Sequence, residues 1–171
     1  MTELRGVPVS ASRLSLSRIA TVLDANLYGI VHGGTVMRMI DETAGAVASR
    51  HCGGRAVTVA VDEMVFLVPV HIGDIITCQA QVNWTGRTSC EIGVRVTAQP
   101  WDRADEEPRH VASAYLVFVA IDENERPRAI PPVIPETEDD HRRFHEAEIR
   151  RGTRLARREA ILRSRERARP R

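Results

Sequence analysis

Two adjacent glycines, followed at a fixed distance by a carboxylate, are the residues of this 171-residue chain best spaced to do chemistry. The run reads Asp24-Ala25-Asn26-x-x-Gly29-x-x-His32-Gly33-Gly34, and Asp41-Glu42 begins seven residues after Gly34. Glycine lets a ligand come close to the backbone, and the first N–H groups of a helix have no intrahelical acceptor. A helix starting at this pair can therefore present donors to an anion or to a developing oxyanion. Asp41 then lies about two turns in, roughly 10 Å along the axis. At about 100° per residue it shares a flank with Met37, Ala44 and Ala48, between the polar and apolar sides. Glu42 falls with Arg38 on the fully polar side, a spacing that suits a solvated ion pair. On position alone, Asp41 reads both as a carboxylate bordering a cleft and as an ordinary exposed residue.

The elements that would hold these groups are legible from periodicity. Residues 35–51 carry a helical pattern, with Val36, Ile40, Thr43 and Val47 on one side and Thr35, Arg38, Glu42 and Ser49 on the other. Gly53-Gly54 ends it. Residues 13–18 alternate apolar and polar as a half-buried strand does. After the helix, some seventy residues are strand-like. Residues 56–66 are rich in β-branched side chains, and Ile72-Gly73-Asp74 marks a turn. Ile76, Cys78, Ala80, Val82 and Trp84 then alternate with polar residues, and so do Cys90, Ile92, Val94, Val96 and Ala98. The short turn Thr85-Gly86-Arg87 between these runs predicts a β-hairpin. Residues 111–121 are apolar at nearly every position, so both faces of that strand should be covered. One long helix and five strands predict an α+β domain over residues 10–134, an antiparallel sheet wrapped on a single helix.

Residues 135–171 differ in kind. Four prolines between 127 and 135 predict an extended connector. Thr137 before Glu138-Asp139-Asp140 predicts a helix start, with acidic residues where the helix dipole favours them. Residues 1–134 carry twelve Arg against fifteen acidic groups, whereas 135–171 carry twelve Arg against eight. The ten arginines between Arg150 and Arg171 are interrupted by Glu159 and Glu166 and lack aromatic neighbours, which favours a solvated tail over a nucleic-acid partner. Fraying is expected from about Arg163. His141 and His145 have metal-compatible spacing but no third ligand in view. Cys52, Cys78 and Cys90 form no C-x-x-C pair and read as small buried residues. The apolar stretches are shorter than the roughly 20 residues needed to span a bilayer. The N-terminus lacks a secretory pattern, so a cytoplasmic location is expected.

The ordered set of motifs resembles the hotdog-fold acyl-CoA thioesterases, in particular single-domain bacterial enzymes and the tandem-domain cytosolic hydrolases of animals. The pieces are Asp24-Ala25-Asn26, Val31-His32-Gly33-Gly34, Met39-Ile40-Asp41-Glu42-Thr43-Ala44-Gly45, Arg50-His51-Cys52, Val57-Thr58-Val59-Ala60-Val61, Ile72-Gly73-Asp74, Gly86-Arg87-Thr88-Ser89 and Pro135-Glu136-Thr137-Glu138-Asp139. Together they cover about residues 10–145. The resemblance implies hydrolysis of acyl-CoA to a free acid and CoA without metal or redox cofactor, at sites formed between two protomers. It implies that Asp41 acts as general base or nucleophile and that Asn26 of the other subunit orients water or thioester. The N–H groups around Gly33 and Gly34 would polarise the carbonyl, with His32 supporting the turn. Arg87 and Ser89 would contact substrate, Arg87 through CoA phosphates. A homodimer is the expected minimum, because a nearly all-apolar strand in a single unit calls for a covering partner, and the resemblance suggests a trimer of dimers. Val65 departs from the pattern, in which Asn or Asp often precedes Phe66. The rival readings are a hotdog hydratase or dehydratase, for which a catalytic His near the helix start is expected, and a non-catalytic acyl-CoA sensor, which has no need of Asn26 and Asp41.

Overall fold

The computed structural model describes residues 4–167. Its centre is α2 (Gly33–Cys52), 20 residues or about 30 Å of helix. His32 caps its N-terminus, and Gly53 ends it in the left-handed conformation at φ 64°. Val36, Met39, Ile40, Ala44 and Val47 are almost completely buried, and each large apolar side chain so enclosed is worth about 1.5–3 kcal/mol. Thr43 sits among them without penalty, because its hydroxyl donates to the Met39 carbonyl at 2.6 Å.

Five antiparallel strands curl around this helix: β2 (Leu14–Ile19), β3 (Ala56–Phe66), β4 (Asp74–Thr85), β5 (Ser89–Pro100) and β6 (Arg109–Ala120). Their order is β2-β4-β5-β6-β3, so β2 and β3 are the edges. This is the α+β hotdog arrangement, a sheet wrapped on one long helix. The alternating apolar residues of β4 and β5, from Ile76 to Val82 and from Cys90 to Ala98, point at α2 and are buried. The expected alternation fails at one place. A bulge between Val82 and Trp84 reverses the parity. Asn83 then bonds to Glu91 at 3.1 Å, and Trp84 lies beneath Arg151 on the outer face of the sheet.

That outer face is covered by α3 (Glu138–Arg167). Thr137 and Asp140 cap the helix reciprocally, each side chain accepting the other's backbone N–H at 3.1–3.2 Å. Contrary to the expected fraying from about Arg163, the helix is continuous to Arg167, supported there by a Glu159–Arg163 pair at i, i+4. Contrary to expectation too, β6 needs no second chain. It is an interior strand, with α2 on one face and α3 on the other, where Arg150 stacks on Tyr115 at 3.7 Å. The proline connector is likewise more ordered than expected. Its β7 (Val133–Ile134) pairs in parallel with β1 (Val7–Pro8), which leads into the single turn α1 (Val9–Ser12). Among the described residues, no helix is long and apolar enough to cross a membrane.

The contact between α3 and the sheet is ionic at its heart. Glu91, 3% exposed in its side chain, accepts from Arg150 Nε at 3.1 and 3.2 Å and from Nη2 at 2.7 Å. Removing one member of a buried pair strands the other charge, which costs about 3–5 kcal/mol. Arg150→Ala should therefore lower the unfolding free energy by about 3–5 kcal/mol in urea titrations. Glu91→Gln with Arg150→Met, which keeps an acceptor for Asn83, should recover at least half of that. A loss below about 1 kcal/mol for Arg150→Ala would mean that Glu91 remains hydrated.

Candidate active site

The loop that carries Asn26 is fixed at both ends. Asp24 is buried, and its carboxylate accepts from the Thr21 N–H at 2.8 Å, from the Thr21 hydroxyl at 3.0 Å and from Arg18. The Thr21 N–H, followed by the Arg18 guanidinium, holds the Asp24 carboxyl below the usual carboxylate range against the opposing effect of burial. The Asp24 carbonyl accepts the His32 N–H at 2.7 Å, and a bridge joins Ala25 to Val31. Gly29 closes the turn at φ 75°, a conformation other residues rarely adopt. A second bridge ties Ile30 to His71, beside the turn that Asp74 organises through the His71 N–H and Arg109.

Asn26 sits at the head of this loop, partly buried. Its Oδ1 accepts the N–H groups of Tyr28 at 2.8 Å and Ile30 at 3.4 Å, so the side-chain orientation is set from within the loop. The Nδ2 group remains as a donor. With Gly33, Ile30 and Phe66, Asn26 lines a groove of about 370 Å³ walled by Val36, Val68 and Val111. Gly33 opens α2 there. Among the described residues no acceptor lies within bonding range of its N–H. Gly34 differs, because its N–H is taken by His32 Nδ1 at 2.9 Å. A Cβ on Gly34 would come within 3.0 Å of that ring. His32 is thus the cap of the helix, as expected, and of the two glycines Gly33 is the one with a donor to spare.

Asp41 lies eight residues after Gly33, about 12 Å along the axis, and exposed. Its Oδ1 accepts the hydroxyl of Thr58 at 2.7 Å. That bond pins the carboxylate to β3, an edge strand of the sheet. Thr58 appears in the sequence only as one β-branched residue in a strand-like run, which any strand would favour, and so it carries no separate signal. One chain brings Asp41 to Thr58 and Asn26 to Gly33, but does not bring these two pairs together. Arg87 and Ser89 are farther off. Arg87 lies in the β4–β5 turn and Ser89 opens β5; the turn carbonyls at Arg87 and Thr88 accept from Ile130 and Ala120 near the C-terminal end of α2. Val65, the departure noted above, is half-exposed on β3 next to Phe66 of the groove.

The arrangement has recognisable counterparts. A thioesterase superfamily model matches residues 28–101. A cytosolic acyl coenzyme A thioester hydrolase of Mus musculus is 37% identical over 142 residues, covering 83% of this chain and 37% of the mouse protein. The chain thus spans little more than a third of that relative's length. An acyl-CoA hydrolase of Staphylococcus aureus, solved with butyryl coenzyme A, coenzyme A and coenzyme A disulfide, superposes with a TM-score of 0.85 at 32% identity, over 94% of this chain and 96% of its own. A hexameric acyl-CoA thioesterase in its apo form superposes with a TM-score of 0.86 at 32% identity, over 90% of this chain and 97% of its own. The staphylococcal enzyme has also been solved as three single alanine variants, of an Asn, of an Asp fifteen residues later and of a Thr seventeen residues after that. Asn26, Asp41 and Thr58 have the same separations.

The Asp24 network makes the loop's rigidity dependent on pH in a definite direction. A carboxyl whose folded-state pKa is depressed stabilises above its unfolded value of about 3.9, and the gain is lost as pH falls through the folded pKa. Asp24→Asn should therefore lower the melting temperature at pH 6–7, and the deficit should shrink steadily below about pH 4. Melts across pH 3–7 check this. A deficit that is constant with pH would show that the ionised form contributes nothing.

Proposed function

Because the chain belongs to the acyl-CoA hydrolases of the thioesterase superfamily, we propose that it cleaves the thioester of acyl-CoA to a free carboxylic acid and CoA. The observation that carries the proposal is the Thr58–Asp41 bond, which holds an exposed carboxylate at the edge strand through Oδ1 and leaves Oδ2 without a partner among the described residues. Asp41 takes a proton from water as the water attacks the carbonyl carbon, or attacks that carbon itself to give an anhydride that water then opens. The Gly33 N–H stabilises the oxyanion. Gly34 serves the same turn through its bond to His32 and is not the donor. The CoA sulfur leaves with the electron pair and ends as the thiol. A hydratase reading lacks support, since His32 is occupied in capping α2. A purely binding module would have no use for a carboxylate aligned in this way.

The substrate channel needs a second copy. β3, paired to β6 on one side, leaves its other edge free over eleven residues, with Val57, Val59 and Val61 each 42–54% exposed, a ready template for another β3. The neighbouring 22–28 loop leaves Leu23, Leu27 and Tyr28 almost wholly bare. Pairing two β3 edges about a two-fold axis covers both, and sets the Asn26 loop of one protomer toward Asp41 of the other. Asn26 Nδ2 then orients the water or the thioester. The hexameric relative supports a further step to a trimer of dimers. In that assembly another copy's site can reach the turn of Arg87 and Ser89, which would hold CoA phosphates and which one chain alone keeps apart from Asn26. Residues 10–134 are the catalytic unit and 135–171 an appended helix and tail, placed in the cytoplasm as the sequence leads us to expect.

Two measurements test this. Asp41→Asn should keep the fold and the binding of CoA while lowering kcat by at least about a hundredfold, the scale of lost general-base catalysis, in a thiol-release assay over a panel of acyl-CoAs. Near-normal turnover in a correctly assembled variant would remove Asp41 from the mechanism. Separately, inactive Asn26→Ala and Asp41→Ala chains should rescue each other when refolded together. A mixed dimer has one site with both lesions and one with neither, so random pairing restores about a quarter of the sites. If mass spectrometry finds mixed dimers and activity stays at background, the two residues do not share a site across subunits.

A further inference from the structure

Helix α3 is too long for the sheet it covers. At 1.5 Å per residue its 30 residues extend about 45 Å, whereas five strands are only about 19 Å wide. Its contacts follow the crossing. Asp140 meets Arg13 beside β2 and Gln81 on β4 at 3.0 Å each. Arg150 meets Glu91 on β5 and Tyr115 on β6, and Arg154 meets Asp62 on β3. By Arg154, about 21 Å along, the helix has reached the edge. Residues 155–167, about 20 Å more, run on past it and are all exposed.

The overhang continues the docking face. Ala147, Arg150, Arg154, Arg158, Ile161 and Arg165 fall at intervals of three or four residues, so Ile161 and its neighbour Leu162 lie on the side that meets the sheet farther back. They are 46% and 47% exposed. The helix is also divided by charge. Residues 138–149 hold five carboxylates and two Arg, whereas 150–167 hold eight Arg and two Glu.

Resting on the β3-edge dimer proposed above, we infer that the α3 helices of two copies pack antiparallel across the dimer axis, the basic distal end of each against the stretch of the other that carries Glu146 and Glu148. The geometry leads there directly. Asp62, where α3 crosses β3, is one residue from Val61, the midpoint of the strand. A two-fold axis that pairs β3 strands about their middles therefore brings the two helices side by side and reverses their directions. With the crossing at Arg154, antiparallel packing sets residues 162–167 of one helix, with Arg163 and Arg165, beside about 144–149 of the other, with Glu146 and Glu148, so the charges at that contact are complementary. Ile161 and Leu162 are covered by the second copy.

Charge reversal tests the pairing. Glu146→Arg with Glu148→Arg in one variant, and Arg163→Glu with Arg165→Glu in another, should each raise the dimer dissociation constant at least tenfold in sedimentation at physiological salt. An equimolar mixture should form heterodimers almost exclusively by native mass spectrometry, because only the mixed pair is complementary at both contacts. In the unaltered protein, amides of 155–167 should exchange more slowly in the assembled state than after dilution to monomer. If both variants self-associate as tightly as wild type, or if 155–167 of the assembled protein exchange as an isolated helical segment would, the helix pairing is wrong and the β3 dimer is untouched. A wild-type chain that stays monomeric at high micromolar concentration would instead remove the dimer on which this pairing rests.

Discussion

A sheet that curls around one helix without closing into a barrel must leave the outer edges of its two end strands free, and in this chain the longer of those edges is that of β3. Eleven residues of backbone with exposed valines would be a liability in a protein meant to stay alone. The chain places its most reactive-looking carboxylate at this spot instead. Thr58 reaches from the edge strand to Asp41 on α2, so the geometry of the carboxylate is set by the same strand that offers itself to a second molecule. Whatever completes the sheet also completes the surroundings of Asp41.

The outer face of the sheet is covered by a different kind of contact. An apolar helix there would have competed with α2 for the inner face, since either face of an all-apolar sheet can accept it. Glu91, Asn83 and Asp62 mark the outer face as the one that only a basic helix fits. Such pairs add little net stability, because desolvation offsets most of the attraction. Their effect is on register: Arg150 and Arg154 each have one carboxylate to meet, and a helix shifted by one residue would meet neither. The bulge at Asn83 belongs to the same device, since it turns Asn83 toward Glu91 and Trp84 toward Arg151.

Periodicity made most of the fold legible, because burial on one face leaves a period-2 or a 3.6-residue trace in the sequence. The α2 helix, the β4–β5 hairpin and the capped start of α3 could all be read in this way. Three things could not. The parity switch at Asn83 depends on one inserted residue, which no alternating pattern announces. The short pairing of β1 with β7 joins segments more than a hundred residues apart. The covering of β6 depended on α3, whose composition suggests a solvated helix because its contacts are ionic. At the candidate site, spacing marked the glycine pair and left Asp41 open between a cleft carboxylate and an ordinary exposed one; it was the resemblance that singled out Asp41 and Asn26. Neither singled out Thr58, for a threonine in a strand is unremarkable until the partner across from it is known. Nor could spacing separate Gly33 from Gly34. That distinction rests on the His32 ring, which occupies one N–H and leaves the other.

The two halves of the candidate site are held too firmly to meet by motion within one chain. Asn26 is fixed through its own Oδ1, through the Ala25–Val31 bridge and through the Asp24 network beneath it. Asp41 is fixed by the rigid body of α2 and by Thr58. Bringing them together within a protomer would mean breaking several of these bonds, at about 0.5–1.5 kcal/mol for each neutral one and more for the charged ones. The proposed association at β3 would break none of them. It would also cover apolar side chains that the isolated chain leaves in water, so the proposed completion of the site would be favourable on its own account. Preorganisation of this kind suits a hydrolase, where a carboxylate displaced by about 1 Å can lose a hundredfold in rate. It also explains why so much polar bonding is invested in a loop and an edge strand, which in a protein acting alone would be its least ordered parts.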